Sequence, residues 1–456
     1  MWRDESVTWQ VAHRPLGGLW ELLGQVDAVH GLYYLLMHAV YAVHAVAGAD
    51  ADGSAGLWAL RLPSVAATAL ATAGVAAVAH RLTGASEGGA PGERAFAERT
   101  PAERAGLFAG LGYAVLPPVQ MYAQEGRSYA LVAAAVIWAT YLMLRERWLG
   151  YALVMVVGCW LHEFAVLALP AHAFTAWRSR GWRWGAAAVV AALLPLALVS
   201  ARQAQQQLGW LGRPGWQDWA AYGVLAAAAL ALARGAAPGL VRVALPLALL
   251  PPGVLLAVSL VHPWYVDRYV LYALAGLALL AGNRLARVRR PVRARDWWPW
   301  LLAGALLVPV GFWSAWLRTP ESRKDDVLAV AAAVRERARP GDAVLFLPAR
   351  RREWLLSSPE VYGSLRDLAL SRTPAASRSL QGVEGTARQI REALLDPSTE
   401  RVVALLDPPG QPLDGDPAES VKRQTLVSSF DLCSVTEVRG ARVALFARPG
   451  GCAQEP

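Results

Sequence analysis

Residues 61–81 read RLPSVAATALATAGVAAVAHR, an apolar run framed by Arg61 and Arg81. A bilayer's hydrocarbon core is about 30 Å thick and takes roughly 20 apolar residues of helix to cross. This stretch therefore reads as a membrane span. Nine further candidates follow: 105–120, 128–144, 149–161, 163–176, 185–200, 220–233, 241–261, 269–283 and 299–317. Several are short, and the pair flanking His162 reads equally as one bent segment. The expected fold class is an α-helical polytopic membrane protein with about ten visible spans.

Composition agrees. Apolar residues make up 55% of the 456 and charged residues 17%, where soluble proteins carry about 25% charge. Residues 1–320 hold 25 Arg against 16 Asp and Glu, whereas 321–456 hold 19 basic and 19 acidic residues. The net charge of +9 thus belongs to the apolar part. A disordered chain, a soluble nucleic-acid binder and a disulfide scaffold are excluded; membrane lipids are expected partners and nucleic acid is not. Three cysteines make no disulfide framework.

Arginine alternates sharply between the connecting segments. One set holds 17 arginines, from Arg81, Arg94, Arg99 and Arg104 to Arg284, Arg287, Arg289, Arg290, Arg293 and Arg295. The opposite set holds four, Arg127, Arg202, Arg213 and Arg268. Basic loops stay cytoplasmic, so the second set, residues 1–60 and the tail after 317 face outward. The expected division is an extracytoplasmic first loop with interfacial helices (1–60), a transmembrane helical domain (61–317) and an extracytoplasmic α/β domain (318–456). An outer residue 1 calls for an upstream apolar stretch, which is therefore expected before Met1. Segment 27–47 fits a helix in the outer interface, with Tyr33, Tyr34, His38 and His44 near the headgroups.

Polar clusters collect on that outer face: Asp4 with Glu5, Asp27 with His30, Tyr122 through Tyr129 with Glu125 and Arg127, His162 with Glu163, and His262 through Tyr269 with Asp267 and Arg268. Taken singly each is as readily a solvated loop. Together, ionisable groups at membrane depth are functional candidates. They suit transfer of a sugar from a lipid phosphate. The acceptor hydroxyl needs a carboxylate base, and the leaving phosphate needs a cation, which Arg supplies bidentately.

The residues also carry a resemblance. Trp2–Thr8 (WRDESVT) resembles the "W-x-DE-x-x-T" entry to the first outer loop of GT-C glycosyltransferases. The nearest branch is the family 39-like bacterial members, related to protein O-mannosyltransferases and the lipid A aminoarabinose transferase. Asp27–Leu36 (DAVHGLYYLL) resembles their "D-x-HPPLYYLL", with Gly31 in place of a proline. Leu60–Ser64 (LRLPS), Tyr122–Tyr129 (YAQEGRSY, against "SQEARxY") and Asp267–Tyr269 (DRY) match in order over residues 1 to about 320. These relatives have a span directly before the acidic loop, and this chain begins at that loop.

The resemblance implies a polyprenyl-phosphate sugar donor, with a mannose-like sugar as one example, and a glycan, lipid or protein acceptor. It implies that Asp4 is the general base, supported by Glu5, with Glu125 the second acidic residue. Arg268, helped by Arg127, would hold the donor phosphate. Asp27, His30, Tyr122, Tyr129, His162 and Tyr269 are the expected substrate-binding residues. No cofactor is expected; some relatives bind a divalent metal and others work without one. A transporter or flippase for lipid-linked glycans, or a non-catalytic assembly protein, is the alternative. Charges at span ends and no visible repeat favour the enzyme.

The tail reads as alternating helix and strand. A helix holds Val327, Val330, Ala331 and Val334; others are expected near 359–370 and 384–395. Strands are expected at Ala343–Leu347, Val402–Leu406, 432–438 and 441–447, the last two a hairpin about Arg439-Gly440. That register puts Cys433 opposite about Phe446, so a bridge to Cys452 forms only if the chain folds back after Pro449-Gly450-Gly451. Arg350-Arg351-Arg352 reads as a solvated run. A lid or acceptor-recognition role is the expectation for this domain.

Overall fold

The computed structural model describes residues 1–46, 54–84, 100–208, 211–287 and 298–452. Arg94, Arg99, Arg289, Arg290, Arg293 and Arg295 lie outside them. The helices are α1 (Arg3–Ala12), α2 (Leu16–Leu23), α3 (Gly31–Val46), α4 (Ser54–Gly84), α5 (Pro101–Ala114), α6 (Pro117–Ala123), α7 (Tyr129–Leu144), α8 (Trp148–Leu161) and α9 (Ala168–Ala176). They continue with α10 (Arg180–Leu208), α11 (Trp216–Ala233), α12 (Pro238–Val258), α13 (Leu274–Ala286) and α14 (Trp298–Trp316), then α15 (Val327–Arg337), α16 (Pro359–Tyr362), α17 (Ala387–Leu395) and α18 (Pro417–Ser429). Two compact units result: residues 26–36 with 52–317, and residues 1–25 with 37–51 and 318–456.

The first unit is all helix. Four of its helices are long and apolar enough to cross a bilayer: Gly56–Gly84, Arg180–Ala204, Pro238–Val258 and Asp267–Ala286. Tyr129–Leu144, Trp148–Leu161, Glu163–Ala176 and Leu307–Trp316 are shorter apolar helices. Length and composition thus carry four spans, and the expected ten rests on the sequence alone. The expected span 105–120 breaks at Leu116, where Pro117 and Pro118 open α6. The segments on either side of His162 form one bent unit, with a 3₁₀ turn (Glu163–Leu167) between α8 and α9. Leu70, Leu149, Leu153, Leu194, Leu198 and Phe312 are more than half exposed, a surface that lipid covers in a membrane protein and water would not tolerate.

Helix α13 packs on α5 and α12, and α4 packs on α5 and α7. Close approach depends on small residues, as is usual between membrane helices. A Cβ at Gly282 of α13 would fall 2.4 Å from the Ala109 backbone nitrogen of α5.

The second unit combines α1, α2 and part of α3 with a tail domain. Its five-stranded sheet has the order β2-β1-β5-β7-β6, built from β1 (Ala343–Leu347), β2 (Arg366–Asp367), β5 (Arg401–Leu406), β6 (Asp431–Val438) and β7 (Ala441–Ala447). A separate ribbon pairs β3 (Leu370–Arg372) with β4 (Val383–Glu384). Both faces of the sheet are apolar, as a covered parallel core requires. Val344, Phe346, Val403, Leu405 and Val443 pack with Val330 and Val334 of α15. Leu345, Leu347, Val402 and Ala404 pack with Ile390, Leu394 and Leu426 of α17 and α18. Asp326 caps α15 by accepting from the Ala329 N–H at 3.2 Å, and Thr386 and Gln389 form a capping box on α17.

Several expectations change here. The helix expected over 359–370 ends at Tyr362; Gly363 follows as its cap and the chain turns into β2. Arg351 and Arg352 are buried rather than solvated. Arg351 Nε donates to Asp407 at 2.8 Å, and Arg352 pairs with Asp367 and Glu384 at 2.6 Å each. Cys433 and Cys452 are bridged, with Cα atoms 5.3 Å apart. The chain does fold back: Gly450 takes φ +78° and the Gly451 N–H bonds the Arg448 carbonyl at 2.7 Å. Tyr33 and Tyr34 are fully buried rather than at a headgroup surface.

Candidate active site

Nine of the eleven expected site residues fall in the helical unit, and most of them converge at one cluster of helix ends. Asp27 starts it. Its backbone is left-handed, at φ 62° and ψ 29°, a conformation Asp tolerates better than most residues. The 3₁₀ turn that follows (Ala28–His30) swings His30 back, so that its Nδ1 lies 2.8 Å from Asp27 Oδ1. The other Asp27 oxygen accepts from the Tyr34 hydroxyl, which in turn accepts from Arg127 Nη1 at 3.1 Å. Gln203 of α10 pins the start of the turn, its Oε1 accepting the Ala28 N–H at 2.9 Å. Burial works to raise the Asp27 carboxyl. The charge and hydrogen bond of His30, with Arg127 and the Tyr34 hydroxyl, outweigh it and hold the group well below the usual carboxylate range.

Glu125 and Arg127 come from the loop between α6 and α7, and both are buried. The Ser64 hydroxyl lies 2.6 Å from the Glu125 carbonyl oxygen and 3.0 Å from that of Arg127. A Cβ at Gly126 would meet the Leu60 side chain at 2.5 Å. The LRLPS and QEGR segments are thus two halves of one support: Leu60 fills the space over Gly126, and Ser64 fixes the carbonyls on either side.

His162, at the end of α8, packs edge-on to His30 with ring centroids 5.7 Å apart. Its ring lies 4.4 Å from that of Tyr269, and Tyr129 is 5.9 Å from His162 and 6.0 Å from Tyr269. Arg268 stands over these aromatics. Its Nε donates to the Tyr129 hydroxyl at 3.1 Å, and the guanidinium lies 5.4 Å and 5.8 Å from the Tyr129 and Tyr269 ring centres, within cation–π range. Tyr122 donates to Asp267 Oδ1 at 3.3 Å, which also accepts the Arg268 N–H. Asp27, His30, Arg127, His162, Tyr129, Tyr269 and Arg268 are therefore chained by successive contacts. His30 Nε2 is buried with no partner among the described residues.

Asp4 and Glu5 lie in the other unit, in the first turn of α1. Glu5 is fully buried and accepts the Trp2 N–H at 3.3 Å, closing the helix start. Helix α1 docks on the tail: the Arg3 N–H donates to Asp325 at 2.8 Å, its guanidinium pairs with Glu353 at 3.1 Å, and the Ser6 hydroxyl donates to the Glu353 carbonyl at 3.1 Å. Gln10 and Arg14 bond the Leu380 and Ser379 carbonyls. Helix α1 thus belongs to the same compact unit as the tail domain. Burial raises the Asp325 carboxyl, and the charge of nearby Asp4 adds to the rise.

Sequence reasoning assigned no role to Ser64 or Gln203 and placed Tyr34 at an interface. Ser64 and Tyr34 lie within the LRLPS and DAVHGLYYLL segments, a sequence signal for both. Gln203 carried none. Among the described residues no group of three or more His, Cys, Asp or Glu side chains is arranged to hold a metal ion.

The whole chain has a structural counterpart. It is similar over 98% of its length, and 97% of the other chain, to the crystal structure of ArnT from Cupriavidus metallidurans in the apo state, at a TM-score of 0.54 and 14% identity. The likeness is one of fold: a mostly helical chain with a strand-containing C-terminal part. A second ArnT structure, bound to undecaprenyl phosphate, matches at a TM-score of 0.46 and 15% identity over 97% of this chain and 96% of that one. No protein-family model and no curated protein matches the sequence.

Proposed function

We propose that this chain is a membrane glycosyltransferase that moves a sugar from a polyprenyl-phosphate carrier to an acceptor hydroxyl outside the cytoplasm. The observation that carries the reading is Arg268, a guanidinium oriented by Tyr129 and seated against two aromatic rings at the end of the Asp27–His162 cluster. An aromatic floor fixes the plane of the fork, and a planar fork suits bidentate binding of a phosphate. Asp4 is the proposed base. The acceptor oxygen attacks the anomeric carbon, its proton passes to Asp4, and the bond to the lipid phosphate breaks with its electron pair staying on the phosphate. That group leaves as an anion paired with Arg268, so no acid residue is required. A single displacement of this kind inverts the anomeric centre.

In this reading Glu5 supports Asp4, Glu125 is the second acidic residue, Arg127 holds Tyr34 and the Asp27 turn, and the aromatics with His30 and His162 line the donor. The sequence shows no internal repeat of the kind transporters carry, which favours transfer over transport. The bridge between Cys433 and Cys452 supports an extracytoplasmic tail, since such bonds persist in oxidising compartments. The test is to incubate membranes containing the protein with a panel of labelled polyprenyl-phosphate sugars and endogenous acceptors. Label transferred from at least one carrier is expected, and no transfer from any, by a folded protein, contradicts the proposal.

A further inference from the structure

The tail domain holds a cavity of about 390 Å³ that the reaction above does not use. Glu384, Asp414, Asp416 and Glu419 line it, with Arg350 and Gln381. Behind two of these carboxylates lies Lys422, fully buried on α18, whose ammonium is 2.9 Å from Glu419 Oε1, 2.6 Å from Glu384 Oε2 and 2.9 Å from the Phe346 carbonyl. An ammonium has three hydrogens, so Lys422 is fully used. Arg352 is occupied as well, by Asp367, Glu384 and the Gln381 carbonyl. At the mouth Arg350 pairs with Asp407 at 3.0 Å and approaches Asp414 at 3.9 Å.

One atom is left over. Glu419 is 3% exposed; its Oε1 accepts from Lys422 and from the Ala349 N–H at 2.7 Å. Its Oε2 is buried and has no partner among the described residues. A buried carboxylate oxygen without a donor is costly and rare. Burial raises the Glu419 carboxyl, with Lys422 opposing. The donor that would relieve it faces a lining of four carboxylates against one guanidinium. Among the described residues no aromatic ring lines the cavity, so they offer a sugar ring no face to stack on.

We propose that this cavity binds a small organic cation through a primary ammonium, which donates to Glu419 and is held by Glu384, Asp414 and Asp416. The site is independent of the transfer reaction and stands or falls separately from it. The full chain in neutral detergent is titrated calorimetrically with 1,4-diaminobutane and with its neutral analogue 1,4-butanediol. Saturable binding of the diamine alone is expected, weakened about tenfold or more in Glu419→Gln, as befits loss of a charged hydrogen bond. Asp414→Asn, at the half-exposed mouth and outside the Lys422 contacts, is expected to weaken it by a smaller factor and serves if Glu419→Gln does not fold. Equal binding of the diol, no saturable diamine binding, or diamine affinity unchanged in the folded variants each overturns the assignment.

Discussion

Asp27 keeps a left-handed backbone, an imidazole partner in His30 and a phenol in Tyr34, which bonds Arg127 in turn. A carboxyl held below its unfolded value adds stability that is complete above about pH 4 and disappears as pH falls through the folded value. Asp27→Asn is therefore expected to lower the melting temperature by a constant amount from neutral pH down to about 4.5, with the gap closing below. Thermal unfolding in detergent from pH 3 to 7 checks this; a gap that widens on acidification contradicts the sign. Asp4→Asn is expected to leave the protein folded and cut transfer by about 10²–10⁴-fold, read as initial rate with donor binding measured alongside. Arg268→Lys keeps charge but loses the fork, and is expected to impair transfer where Arg213→Lys, at an exposed position, does not. Equal tolerance of the two removes Arg268 from the phosphate.

Among the elements, apolar runs and arginine spacing made the helices legible, and alternating Val, Leu and Ala made the core strands of the tail legible almost to the residue. What stayed hidden depends on contacts distant in sequence. Arg351 and Arg352 look solvated until Asp407, Asp367 and Glu384 arrive from other strands and loops. The helix expected over 359–370 is lost because Asp367 turns its carboxylate to the Ala369 and Leu370 N–H groups and to Arg352. Helix α18 was not anticipated, because its face is mixed and its Lys422 is buried by tertiary pairing alone. Of the candidate site, the residues were legible as outer polar clusters; the Ser64 and Gln203 supports were not, since a lone hydroxyl or amide has no pattern. At this scale the Gly282–Ala109 approach makes a direct prediction. Gly282→Val forces a side chain into the α5 backbone and is expected to cost about 3 kcal/mol. Gly304→Val, with nothing within 4 Å of its Cβ position, is the control. Equal melting temperatures for the two would show that α13 and α5 are not in close contact.

For the whole molecule, the proposed reading puts the tail and the polar clusters outside the cytoplasm. Thiol labelling in intact cells is expected to modify neither Cys433 nor Cys452 until a reductant is added; free labelling of both without it would contradict an oxidising location. In the proposed reaction a polyprenyl phosphate leaves as sugar is transferred, with Arg268 at the phosphate and Asp4 taking the proton. It is tested most directly by quantifying free polyprenyl phosphate released by the purified protein from a labelled sugar donor in the presence of acceptor. Release equal to the sugar transferred, lost in Asp4→Asn and strongly reduced in Arg268→Lys, is the predicted result. Transfer without stoichiometric release, or release undiminished in both variants, would contradict it.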